Sequence, residues 1–134
     1  MAKAQRVTYF KVTVQDQPGV LLKIMQDLKT KNISLSALWA YGKGEGSAEI
    51  FAMAKKPEKL NAALQALGFT AEERVGFFMK GADKAGVLVK SLEALAQANI
   101  NIKATHAMAV SGKFGALFLF DTADIDKAAN ILGA

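Results

Sequence analysis

The sequence predicts an α+β protein in which one strand-helix-strand-strand-helix unit is written twice. Three observations carry that prediction. Sliding the chain by 67 residues brings 14 identical pairs into register without a gap, and an internal repeat constrains a fold more than any single motif. The identities fall on turn residues and core candidates: Asp16/Asp83, Gly19/Gly86, Val20/Val87, Leu21/Leu88, Leu28/Leu95, Asn32/Asn99, Ile33/Ile100 and Phe51/Phe118. Within each copy, runs rich in β-branched and aromatic residues alternate with apolar residues at helical spacing.

Taken in order, residues 7–14, VTYFKVTV, predict a first strand. Val20, Leu21, Ile24, Met25 and Leu28 then recur at helical spacing, as do Val87, Leu88, Leu92 and Leu95. Asn32 and Asn99 follow these helices where a left-handed residue commonly ends one. ISLSALWAY (33–41) and INIKATHAMAV (100–110) predict second strands. SAEIFAMA (47–54) and FGALFLF (114–120) predict third strands, reached through glycine turns. Pro57 suits the first position of a helix over PEKLNAALQAL, with Gly68 as its stop. A fourth strand is expected to complete β-α-β-β-α-β. FTAEE (69–73) supplies it in the first copy, whereas the second copy's counterpart would begin beyond the last residue. That sheet is therefore three-stranded, filled by the N-terminal AKAQR (2–6), or completed by residues outside this sequence. The expected units are 1–72 and 73–134, each an antiparallel sheet with helices on one face. In GALFLF, Leu117 and Leu119 alternate with Ala116, Phe118 and Phe120. Helices cover one face only, so the other is expected to pack on the second unit or another subunit.

Composition narrows the function classes. Of 134 residues, 51% are hydrophobic, too many for a disordered chain. No apolar run approaches a membrane span, and MAKAQRV lacks the apolar stretch of a secretory signal. With no cysteine there is no disulfide framework or thiolate site. A cytoplasmic protein without cofactors is the expectation. The net charge of +5 invites a nucleic-acid reading, but all the excess lies in the first 67 residues. It is spread as single lysines apart from AKK at 54–56, the pattern of a solvated face.

The chemistry concentrates in DQPGVL (16–21) and DKAGVL (83–88). A helix start has N–H groups without intrahelical partners and the positive end of the dipole, so it favours an anion. Gly19 and Gly86 permit close approach there. Asp16 and Asp83 are candidates for capping one free N–H. A fixed carboxylate beside open N–H groups also pairs an acceptor for a cation with donors for an anion, which matches a zwitterionic α-amino acid. Phosphate fits less well, because these aspartates repel it and no glycine-rich loop with a lysine follows.

DQPGVLLKIMQDLKTKNISL and DKAGVLVKSLEALAQANINI resemble the ACT domain, written twice over nearly the whole chain. The resemblance implies a ferredoxin-like fold, amino-acid or similar metabolite binding for allosteric regulation, and side-by-side pairing with ligands near these turns. The likeness is to free-standing tandem-ACT proteins, and it implies a homodimer. Carried onto this chain, the ligand contacts are Asp16, Pro18, Gly19, Val20 and Leu21, then Asp83, Ala85, Gly86, Val87 and Leu88. Ala85 departs from the proline that the first copy has at Pro18.

Other residues point elsewhere. His106, the only histidine, aligns with Trp39; both are pocket candidates, and a structural role is the simpler one. No serine or threonine has a visible activating partner, carboxylates are scattered, and one histidine without cysteine speaks against a transition-metal site. No catalytic apparatus is expected. The competing class is RNA binding, since the RNA-recognition motif shares the β-α-β-β-α-β order and GKFGALFLF echoes its aromatic third strand. That reading needs Phe114, Phe118 and Phe120 on an open sheet face, with Phe77 and Phe78 nearby. A protein-interaction module without ligand is the third class.

Overall fold

The computed structural model describes residues 3–134. The chain divides into two units: Thr8–Arg74, and Val75–Ala134 with the described part of Met1–Val7. Each unit is α+β and ferredoxin-like.

In the first unit, β1 (Ala4–Gln15) contributes its residues from Thr8 onward. α1 (Val20–Thr30), β2 (Leu35–Gly44), β3 (Ser47–Ala54), α2 (Pro57–Ala66) and the start of β4 (Glu72–Ala82) follow. The strand order is β2-β3-β1-β4, with β3 antiparallel to both β1 and β2. Phe10, Val12 and Val14 alternate inward from β1 and meet Ile50, Ala52 and Ala54 of β3. Ile24 and Leu28 of α1 and Leu60, Ala63 and Leu64 of α2 close this core. Pro57 stands at the helix start as its missing N–H allows. Asn32, at φ 56°, ends α1, and the Ile33 N–H donates to the Leu28 carbonyl at 2.9 Å.

The second unit repeats the design with β4, α3 (Val89–Gln97), β5 (Ala104–Val110), β6 (Lys113–Leu119) and α4 (Ile125–Leu132). Its order is β5-β6-β4-β1. The edge that the sequence left open is taken by the N-terminal part of β1: Ala4 is 3% exposed and belongs to the core of Phe77, Met79, Phe118 and Phe120. Ala2, in the AKAQR stretch, lies outside the described residues. Asn99, at φ 58°, ends α3 as Asn32 ends α1.

Hydrogen bonds correct the gapless repeat. Phe10 pairs with Ala52 and Phe77 with Phe118, so the spacing of 67 falls to 66 at the third strand. The extra residue of the first unit is a bulge in β2 between Gly42 and Gly44, which β5 lacks. Beyond it the Lys59 N–H donates to the Lys56 carbonyl, as Asp124 does to Asp121, and the spacing falls to 65. The Phe51/Phe118 identity is thus a coincidence of sequence. Phe51 stacks on Trp39, whereas Phe118 lies in the helix-covered core.

Phe77, Phe114, Phe118 and Phe120, on which the RNA reading relies, do not stand on an open sheet face. Phe118 and Phe120 are buried in the core under the helices. Phe114 is buried with its ring edge against Gly81, where a Cβ would lie 3.0 Å from Cε1. Phe77 is fully buried. Leu117 and Leu119 take the opposite face, as alternation predicts.

Candidate functional site

Each Asp-x-x-Gly-Val-Leu turn begins from the same anchor. The Asp16 N–H donates to the Gly46 carbonyl at 2.9 Å and the Asp83 N–H to the Gly112 carbonyl at 3.0 Å. Both bonds tie the end of a first strand to the hairpin of its own unit, which fixes where the next helix starts.

In the first unit the chain runs through Pro18 to Gly19, which sits at φ +91° immediately before α1. That angle is open to glycine and strained for other residues. Gly19 therefore has a backbone reason to be glycine, in addition to the free space around it. No side chain caps α1; the capping role considered for Asp16 is not realised. Its carboxylate lies instead over β2, where a Cβ built on Gly42 would stand 2.9 Å from Oδ2. The Val20 N–H makes a long 3.4 Å bond to the Gln17 carbonyl, and Lys23 is the residue that donates to Gly19. The first turn of α1 thus presents N–H groups with no intrahelical acceptor. Asp16, Pro18, Gly19 and Leu21 are exposed and Val20 is half-buried.

The second turn diverges. Val87 donates to the Lys84 carbonyl at 3.1 Å, as Val20 does to Gln17, but Val89 then donates to the Gly86 carbonyl at 3.0 Å where the first turn has Lys23 donating to Gly19. This extra tight turn delays α3 to Val89, two residues later than α1's start implies. Ala85 lacks the fixed φ and missing N–H that Pro18 brings. Gly86 keeps a positive φ of 71°. Ala109 occupies the position of Gly42, so a methyl group stands where Asp16 rests its carboxylate in the first unit. Asp83, Ala85 and Gly86 are exposed and Val87 and Leu88 half-buried. The sequence marks Gly42 only as a turn glycine, whereas it lies within β2 paired with Ala48, and it does not single out Ala109; the signal was the mismatch at that repeat position.

Trp39 and His106 do hold equivalent places, paired across the sheet with Phe51 and Leu117. Trp39 stacks on Phe51 at 5.1 Å and 5°, with Tyr9 and Tyr41 tilted against the same group. Alternation along β2 puts Trp39 on the sheet face opposite to Gly42. It is thereby part of an aromatic cluster and is directed away from the Asp16 carboxylate.

Beside that cluster lies an ion pair. Glu49 of β3 is 7% exposed and meets the Lys11 ammonium, which also faces Glu72 at 4.0 Å; Arg74 holds Glu72 at 2.7 Å. The hydrogen bond from Lys11 holds the Glu49 carboxyl below the usual carboxylate range, overriding the upward push of burial, and the charges of Lys11, Lys43 and Arg74 help. Burial pushes the Tyr9 phenol up, while Arg74 opposes it. Among the described residues, no three His, Cys, Asp or Glu side chains cluster as a metal site, and no helix is long and apolar enough to cross a membrane.

No family model matches the chain, and no curated protein matches it. Solved structures do. Protein BT0572 from Bacteroides thetaiotaomicron superposes with a TM-score of 0.85 at 19% identity, covering 97% of this chain and 88% of that one. The ligand-free regulatory subunit of aspartate kinase from Thermus thermophilus gives 0.66 at 16% identity, covering 98% and 94%. Aspartokinase alpha and beta subunits give 0.59 at 18% identity, covering 97% and 94%. These likenesses establish the fold across almost the full chain.

Proposed function

We propose that this chain is a non-enzymatic regulatory protein of ACT type that binds an amino acid at the Asp16–Leu21 turn, and works as a homodimer in the cytoplasm. The observation that carries the reading is the first turn itself: an exposed, uncapped helix start with a carboxylate parked beside it over Gly42. Amide N–H groups of Gly19, Val20 and Leu21 receive the ligand carboxylate, and Asp16 receives its ammonium. Pro18 holds the turn in shape. The fold shared with a regulatory subunit of aspartate kinase supports a regulatory role.

The second turn is the weaker site of the two. Asp83, Gly86, Val87 and Leu88 repeat the residues of the first turn, but Ala85 replaces its proline, the Val89 N–H turns back onto the Gly86 carbonyl, and Ala109 replaces Gly42. Thermal unfolding in the presence of each of the twenty amino acids tests the proposal, because a ligand that favours the folded state raises Tm. At least one is expected to do so, with Asp16→Asn abolishing most of the shift and Asp83→Asn little of it. No shift from any amino acid, or a shift untouched by Asp16→Asn, overturns the assignment.

A further inference from the structure

At the far end of α1 from the Asp16 turn, the first unit contains a cleft of about 450 Å³. Lys55, Lys56 and Lys59 line it together with Asn32, Ser34 and Ser36, and no acidic residue does. None of the three lysines forms an ion pair among the described residues. From sequence these lysines passed as a solvated face. The structure instead gathers three like charges around one hollow, an arrangement that repels itself unless an anion sits among them.

The second unit provides the contrast. Matching N–H to carbonyl bonds make Asp121 the counterpart of Lys56 and Asp124 the counterpart of Lys59. Lys103 stands where the first unit has Ser36, and its ammonium faces the Asp121 carboxylate at 3.7 Å. The same corner of the fold is thus charge-balanced in one unit and left purely cationic in the other. Pro57, the first residue of α2, has no N–H to offer, so the donors are the lysine and serine side chains rather than the helix end.

We propose that this cleft is a binding site for a small, multiply charged anion of the phosphate-ester class. Three ammonium groups match the charge of a phosphate or diphosphate better than that of a single carboxylate, and lysine binds such groups as a point charge. The volume falls within the range of small-molecule sites. The site is separate from the Asp16 turn and does not depend on the amino-acid reading.

Titration calorimetry of the full chain with inorganic pyrophosphate, alongside amide-shift mapping by NMR, tests this. Saturable one-to-one binding is expected, with shifts confined to residues 32–36 and 54–59 and none at 119–124. The triple variant K55Q/K56Q/K59Q is expected to weaken it about tenfold or more, while the charge-matched K80Q/K90Q/K127Q keeps the affinity within about twofold. Equal weakening by both triples, shifts spread over the surface, or no saturation would each overturn the site. Citrate binding as tightly as pyrophosphate would overturn the phosphate-ester class.

Discussion

The two units fill the same frame by opposite means. In the first, β3 faces the helices with small Ala52 and Ala54, and the helices answer with Leu64 of α2 and Ile24 of α1. In the second, β6 presents Phe118 and Phe120, and Ala129 of α4 and Ser91 of α3 stand where the first unit has Leu64 and Ile24. Bulk has moved from helix to strand, and the Phe rings there meet edge to face: Phe77 and Phe120 at 5.7 Å, Phe118 and Phe120 at 6.5 Å. The opposite sheet face differs as sharply. Where the first unit pairs Lys11 with Glu49, the second has Phe78 over Gly115, with a would-be Cβ only 3.1 Å from the ring. Tyr9 is likewise replaced by Gly76, whose Cβ position lies 2.8 Å from Leu119 Cδ2. Larger residues at some positions are accompanied by smaller ones at others within the same unit, so the residue carrying the bulk is free to change.

Substitutions sharpen this comparison, and the largest effect is expected in the second core. Phe118→Ala should cost about 3–5 kcal/mol in urea unfolding, because no neighbouring side chain can fill the gap. A loss under about 1 kcal/mol would contradict the packing described. Next comes Glu49→Gln, which leaves Lys11 with only the more distant Glu72 and should cost about 2 kcal/mol near pH 7. The folded-state carboxyl is held below its unfolded value, so its contribution is present above the unfolded pKa and disappears as pH falls through the folded one. The stability gap between wild type and Glu49→Gln should therefore close on acidification; a gap that does not narrow as pH falls below the unfolded carboxylate pKa would break the ion-pair account. Gly115→Ala is expected to cost about 1–2 kcal/mol by pushing on the Phe78 ring, with Phe78→Leu relieving most of it. Smallest and most symmetric are Asn32→Ala and Asn99→Ala, about 1 kcal/mol each, because alanine tolerates a positive φ less well than asparagine. If only one of them destabilises, the caps are not equivalent.

Much of this fold was legible because the signals are local. Asn32 and Asn99 mark helix ends by a backbone preference their own side chains express, and Pro57 marks a helix start in the same way. The alternation in GALFLF correctly sorted Leu117 from Phe118. The slips in repeat spacing were not legible, because the bulge in β2 between Gly42 and Gly44 is masked by the accidental Phe51/Phe118 match. Hydrogen bonds across the sheet, rather than identities, reveal them. The candidate site was half visible. Asp16 and Gly19 announce themselves in sequence, but the contact that places the Asp16 carboxylate involves Gly42, far along the chain. The delayed start of α3 likewise depends on how Lys84–Leu88 coils. The cationic cleft was hidden, since it draws residues 32–36 and 54–59 together only after β2 and β3 have paired.

The shared first strand has a practical consequence for anyone dividing the gene. Ala4–Val7 serves the second unit although it is translated ahead of the first, so cutting between the copies leaves that edge piece attached to the wrong fragment. A segment beginning at Val75 would carry an unsatisfied rim on β4, ready to recruit any free strand. Moving the four residues onto the other terminus, through a short linker, is the rearrangement that would let the second copy stand by itself.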